Sequence, residues 1–155
     1  MKVTEERILD GTSELFSRIG FSRVTVDEIS RYLGISKKTI YNHFPTKDRL
    51  VREVFERSIS NFLENLENLA NQRSKDFMTR IREIVEYSVE ELSSRFKPLI
   101  EDMRAGEREL RGTLFPKIRS KLCSLIKRLL WEGREQGFVR RDGQDEVLPY
   151  VYLTM

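Results

Sequence analysis

The apolar residues of this 155-residue chain recur at helical spacing, and no period-2 alternation outlasts them. The pattern predicts an all-α fold. In the first segment Ile8, Leu9, Leu15, Phe16 and Ile19 share one face, Thr4 precedes the acids Glu5 and Glu6, and Gly20 follows as a stop. Val3 and Ile8 hold the two positions of a hydrophobic staple around Thr4. Thr25-Val-Asp-Glu28 reads as a capping box with Val24 and Ile29 as its staple. The helix it opens runs to Leu33, because Gly34 suits a left-handed stop. Ser36 caps a third helix, flanked by Ile35 and Ile40, which ends at Phe44-Pro45. Two helices of about two turns each, joined by a tight glycine-containing turn, form a helix-turn-helix pattern.

Thr46 caps a fourth helix with a long apolar stripe that includes Leu50, Val54, Phe55, Phe62 and Leu66. Residues 47–71 would span roughly 37 Å at 1.5 Å per residue, too long for the small N-terminal unit alone. Its first half is expected to pack there and its second half elsewhere. A fifth helix carries Phe77, Ile81, Ile84, Val85, Val89, Leu92 and Phe96 on one side. Pro98 starts a short sixth helix that stops at Gly106. A seventh is expected from Thr113 to Gln136, closed by Gly137-Phe138 in a Schellman motif. The chain thus divides into a helix-turn-helix unit, 1–46, and a helical unit, 47–155.

Composition narrows the chemistry. His43 and Cys123 are the only residues of their kinds, which excludes the usual zinc sites, His-containing di-iron bundles and Cys–His nucleophile pairs from separate motifs. Glu83, Glu86 and Glu90 share neighbouring turns but lack metal-ligand spacing, so they read as solvent-facing charge. We expect no enzyme, no catalytic or metal site and no cofactor. Cys123 reads as a small buried hydrophobe. A single cysteine, no signal-peptide core and no membrane-length apolar run point to a cytoplasmic protein without membrane contact.

The formal net charge is only +3, but it is unevenly spread. Arg31 to Arg49 holds five bases and one acid, and Arg111 to Arg141 holds nine bases and two acids. The second stretch reads as the solvated face of an amphipathic helix. The first coincides with the third helix. With Ile40 and Phe44 turned inward, Lys38 and Asn42 lie almost opposite, flanked by Thr39 and Tyr41, with no acid on that face. A major groove asks for such a set: lysine for guanine acceptors, asparagine for adenine, and threonine for thymine. Lys47, at the N-terminus of the next helix, suits a phosphate. Geometry alone leaves His43 between a packing role and a phosphate contact.

The stretch from Phe16-Ser-Arg-Ile-Gly-Phe through Thr25-Val-Asp-Glu-Ile to Lys37-Lys-Thr-Ile-Tyr-Asn-His-Phe-Pro-Thr-Lys-Asp-Arg-Leu50 closely resembles the DNA-binding segment of TetR/AcrR-family transcriptional regulators. The resemblance covers about the first third of the chain. It implies that Thr25, Tyr41, His43 and Lys47 hold backbone phosphates, while Lys37, Lys38, Thr39 and Asn42 face bases from a helix capped by Ser36. Lys38 stands where many members carry a small residue, and Asp27 where some carry an arginine. The resemblance further implies a homodimeric, ligand-responsive repressor on a palindromic double-stranded operator. A small hydrophobic or amphipathic effector would enter the C-terminal bundle near Phe62, Leu66, Tyr87, Met103 and Phe115. In the family two further long helices pair across a two-fold axis. This sequence ends within the first of them, which makes Val147, Tyr150 and Val151 dimer-interface candidates and implies a natural chain that continues past Met155. The competing reading is a DNA-binding adaptor whose C-terminal helices bind a protein instead of a small molecule.

Overall fold

A computed structural model describes residues 4–20, 23–96 and 108–140 of the chain. Among the described residues six helices follow one another: α1 (Glu5–Ile19), α2 (Val26–Leu33), α3 (Lys37–His43), α4 (Lys47–Ala70), α5 (Phe77–Glu91) and α6 (Arg108–Glu135). A single π turn, Leu92–Phe96, continues α5. No strand occurs among the described residues. Val3, Pro98 and Gly106, and with them the outer half of the first staple and the short sixth helix, lie outside the described residues.

The caps form where local chemistry places them. Thr4, Thr25, Ser36 and Thr46 each accept a bond from the backbone N–H three residues on. Thr25 and Glu28 complete the capping box, since the Thr25 N–H donates to the Glu28 carboxylate at 2.7 Å. Gly34 ends α2 at φ +65°, and the Ile35 N–H reaches back to the Ser30 carbonyl. That left-handed geometry strains any residue with a Cβ. At the far end, Gly137 (φ +78°) donates to the Arg134 carbonyl and Phe138 to that of Gly133, the expected Schellman pair of bonds.

Two apolar cores result, and α4 belongs to both. The first gathers Ile8, Phe16, Val24, Ile29, Ile40 and Phe44 around Leu50, Val51, Val54 and Phe55 of α4. The second gathers Phe62, Leu63, Leu66 and Ala70 of α4 with Phe77 of α5 and Leu125 and Leu129 of α6. Ile59 touches both. Both staple pairs of the helix-turn-helix unit serve the first core: Val24 and Ile29 are fully buried, and partly buried Ile35 packs beside Ile40. Gly11 lets α1 close on α2, because a Cβ there would meet the Leu33 side chain at 2.3 Å.

Three expectations need correction. Ile19 is 44% exposed, and Thr12 is buried in its stead. Thr12 stands four residues from both Ile8 and Phe16 and so lies on the inward row, whereas Ile19 falls in the last turn. On α5, Phe77, Ile81 and Ile84 join the second core, but Val85, Val89 and Leu92 are about half exposed or more. They lie on an adjacent face that no described element covers. The π turn also moves the register after Leu92, and the Phe96 side chain lies outside the described residues. The helix expected from Thr113 begins instead at Arg108 and reads through Pro116. Proline there deprives the Gly112 carbonyl of its partner, and Gly112 is exposed, where water can take that bond.

Arg80 is the least expected core residue, only 2% exposed. It donates to the Ala70 carbonyl at 2.6 Å, the last residue of α4, and to Glu132 of α6. Its guanidinium lies 5.7 Å from the centre of the Phe77 ring. Glu132 also accepts from Gln136 at 3.1 Å and lies 3.6 Å from Arg73. The Arg80 hydrogen bonds hold the Glu132 carboxyl below its ordinary range, against burial, and the Arg80 and Arg73 charges add to them. One ion pair therefore ties α4, α5 and α6 together.

Glu132→Ala should destabilise the chain by about 3–5 kcal/mol, because it strands a buried guanidinium. The depressed carboxyl contributes stability above its unfolded value, and that contribution is lost as pH falls through the lower folded value. Urea melts of the wild type should therefore weaken from pH 5 towards pH 3. Glu132→Gln should remove this ion pair's share of that weakening while leaving other carboxylates' shares in place. A Glu132→Ala variant as stable as the wild type at pH 7 would show that the pair does not hold the bundle.

Candidate nucleic-acid interface

The interface is built on α3, a helix of seven residues that could not stand alone in water. Its orientation comes from Ile40 and Phe44, each 1% exposed in the first core, and from the α2 turn that leads into it. The last turn of α2 is itself anchored to both ends of α1. The Arg7 guanidinium donates to the Leu33 carbonyl at 3.0 Å, satisfying a C-terminal carbonyl of α2. Arg18 sits 5.9 Å from the centre of the Tyr32 ring while pairing with Glu14 at 2.5 Å. Tyr32 bonds the same carboxylate, which raises its phenol above the ordinary range.

The polar residues of this unit fall into two sets. The first is engaged inside the protein. The Thr25 hydroxyl accepts from the Glu28 N–H at 3.2 Å and donates to the Glu28 carboxylate at 2.9 Å. Bonds from the Thr25 backbone N–H, then from its hydroxyl, hold the Glu28 carboxyl below its usual range, and the Arg31 and Lys47 charges add smaller contributions. Ser36 accepts from the Thr39 N–H at 3.0 Å, and the two hydroxyls lie 2.9 Å apart. Lys37 pairs with Asp27 at 2.5 Å, joining the first turn of α3 to the first turn of α2.

The second set faces outward. Lys38 and Asn42 are exposed, Tyr41 is 45% exposed, and Thr39 lies half-buried between them and Ser36. His43 is half-buried, its ring 6.4 Å from that of Phe44. Lys47 is half-buried at the first position of α4 and lies close enough for its charge to act on Glu28. All nine sequence-selected residues therefore lie on one compact unit. The Asp27–Lys37 pair is not legible in the sequence, because its members lie ten positions apart and only the turn brings them together.

The C-terminal candidates are distributed differently. Phe62 and Leu66 are buried in the second core, and Tyr87 stacks on Phe62 at 5.7 Å while its hydroxyl accepts from Asn65 at 2.9 Å. Met103, Val147, Tyr150, Val151 and the side chain of Phe115 lie outside the described residues. Cys123 is buried, 6% exposed. No group of three or more potential metal ligands occurs among the described residues, and none of their helices is long and apolar enough to cross a membrane.

A sequence model of bacterial regulatory proteins of the tetR family matches residues 8–54, the span from α1 into the first turns of α4. The chain is 21% identical over 152 residues to the Staphylococcus aureus biofilm operon icaADBC HTH-type negative transcriptional regulator IcaR, covering 95% of this chain and 80% of that protein. Regulatory protein TetR from Rhodobacter sphaeroides superposes with a TM-score of 0.82 at 18% identity, covering 99% of this chain and 84% of that one. The transcriptional regulator FadR from Bacillus subtilis, solved in complex with stearoyl-CoA, superposes at 0.69 and 17% identity, covering 97% and 83%. The match to the tetR-family model falls on the unit that carries every candidate DNA-facing residue, and the fold shared with the solved TetR-type regulators extends along the remaining described helices.

Proposed function

We propose that the chain is a cytoplasmic repressor that binds a palindromic double-stranded operator as a homodimer and releases it when a small hydrophobic or amphipathic effector enters the C-terminal bundle. The observation that carries the DNA-binding half is the outward face of α3. Lys38, Tyr41 and Asn42 stand clear of the protein on a helix fixed by Ile40 and Phe44. In this reading Lys38 and Asn42 read base edges, and Thr39 adds a partly shielded contact. Tyr41, His43 and Lys47 hold phosphates. Thr25 and Ser36 act first as caps that set the helices, and Lys37 reaches DNA only by leaving Asp27. Residues 1–46 form the DNA-binding unit, and 47–155 the effector and dimer unit. The stearoyl-CoA complex of FadR and the negative-regulator name of IcaR support the effector and the repression, respectively.

Asn42→Ala should cost about 1–3 kcal/mol on the preferred operator and relax specificity at one position, whereas Lys47→Ala should weaken all sequences alike. Fluorescence anisotropy on operator and random duplexes checks both. Equal loss on the two duplexes for Asn42→Ala would remove it as a base reader.

Asp27→Asn should strengthen binding to random DNA, because it removes an acid from the interface and releases Lys37 from an exposed pair worth about 0.2–1 kcal/mol. The slope of log affinity against log salt should steepen by about 0.9 if the released lysine takes one more phosphate. A weaker or unchanged complex would place Lys37 away from the backbone.

Effector and operator should oppose each other by reciprocal factors. A fatty acyl-CoA such as stearoyl-CoA is the first probe to try. Calorimetry should find it binding the free dimer more tightly than the operator complex. Equal affinity in both states would remove induction through this ligand, and a monomer by sedimentation at micromolar concentration, for a chain extending past Met155, would contradict the dimer.

A further inference from the structure

A cavity of about 450 Å³ lies where α1, α4 and the π turn meet, and neither Phe62, Leu66 nor Tyr87 lines it. Its size is that of a small-molecule site. Leu9 and Val54 form an apolar floor, and the walls carry the hydroxyls of Ser13, Ser17, Ser58 and Ser94 with the Asn61 amide. These groups come from three separate elements, so helical periodicity within one segment does not explain their convergence.

The charges at the cavity are already matched. Arg57 pairs with Asp10 at 3.1 Å, and Arg18 with Glu14, which also bonds Tyr32. The hydroxyl protons are partly committed too. Ser17 donates to the Ser13 carbonyl at 3.0 Å, and Ser94 to the Glu90 carbonyl at 2.7 Å, so both present acceptor lone pairs. Ser13 and Ser58 share one long contact of 3.4 Å. An anion would meet Asp10 and Glu14, and an ammonium Arg18 and Arg57, while the opposite charges at the cavity are already paired. A neutral molecule with several hydroxyls avoids both costs, since each hydroxyl both donates and accepts while a C–H face covers Leu9 and Val54.

We infer that this junction cavity is a second ligand site, selective for a small neutral polyhydroxylated molecule of the sugar class. Its walls belong to the helix-turn-helix unit, the shared helix and the end of α5 at once. A ligand there favours one placement of the N-terminal unit against the bundle, and a resulting change in operator affinity is matched by a reciprocal change in ligand affinity. Only that coupling rests on the DNA-binding reading; the site itself does not.

The test is calorimetry on the full chain with maltose as the neutral probe and sodium gluconate and glucosamine as charged counterparts. Maltose should bind once per chain, and each charged probe at least tenfold more weakly. Asn61→Leu and Ser58→Val should each weaken maltose at least tenfold, with Ser58→Ala as the milder variant where thermal melting shows either one unfolded. Absence of maltose binding to the wild type, equal binding of gluconate or glucosamine, or unchanged maltose affinity in the folded variants would overturn the site. Operator binding measured without sugar reports separately on the DNA-binding reading, so its failure leaves the calorimetric result standing.

Discussion

The packing of α4 into two cores is the constraint on which the rest of the molecule depends. Leu50, Val51, Val54 and Phe55 complete the N-terminal core, and Phe62, Leu63, Leu66 and Ala70 begin the second on the same rod. From Leu50 to Leu66 the helix rises about 24 Å, so a small tilt at one end becomes a displacement of ångströms at the other. Leu50, Phe55 and Leu66 are each at most 2% exposed, which leaves the helix little freedom to slide against either core. It can transmit a change only by moving as a unit with the groups packed on it. A displacement of either core would therefore reach the other through α4.

The second core answers this demand with an ion pair as well as apolar contact. Arg80 binds the end of α4 through the Ala70 carbonyl and binds α6 through Glu132. A buried pair of this kind is weak evidence for net stability, but it tolerates few alternative arrangements, because either charge left alone is costly. Gly133, one residue beyond Glu132, reinforces the same junction: a Cβ there would come within 2.9 Å of Phe77 and 2.8 Å of Val139. Phe138 then stacks on Phe77 at 5.4 Å. The end of α6 is therefore pinned to the start of α5 by charge, close backbone approach and ring contact together.

In the helix-turn-helix unit, polar residues near the start of α3 share two tasks unequally. Ser36 and Thr39 bond one another, and Lys37 bonds Asp27, so this turn spends most of its polarity holding two short helices together. Lys38, Tyr41 and Asn42 are the exposed remainder. The division explains how a seven-residue helix can present a fixed surface: its first turn is tied laterally, its underside is packed, and only its outer face is left to solvent.

What the sequence by itself determined is what acts within a few residues. The capping box at Thr25, the caps at Thr4, Ser36 and Thr46, and the Gly34 and Gly137 stops are short-range hydrogen bonding and backbone sterics, readable one segment at a time. The inward faces of α3 and α4 were legible for the same reason, since 3.6-residue periodicity needs no partner to be seen. Tertiary structure decided everything that joins distant segments. It paired Lys37 with Asp27, buried Arg80 against Glu132 fifty-two residues away, and divided the apolar face of α5 into a covered and an uncovered part. A charged residue in a helix looks solvent-facing in sequence, and only an opposite charge arriving from another helix makes its burial affordable. The junction cavity is likewise a property of three surfaces meeting, so no single segment contains it.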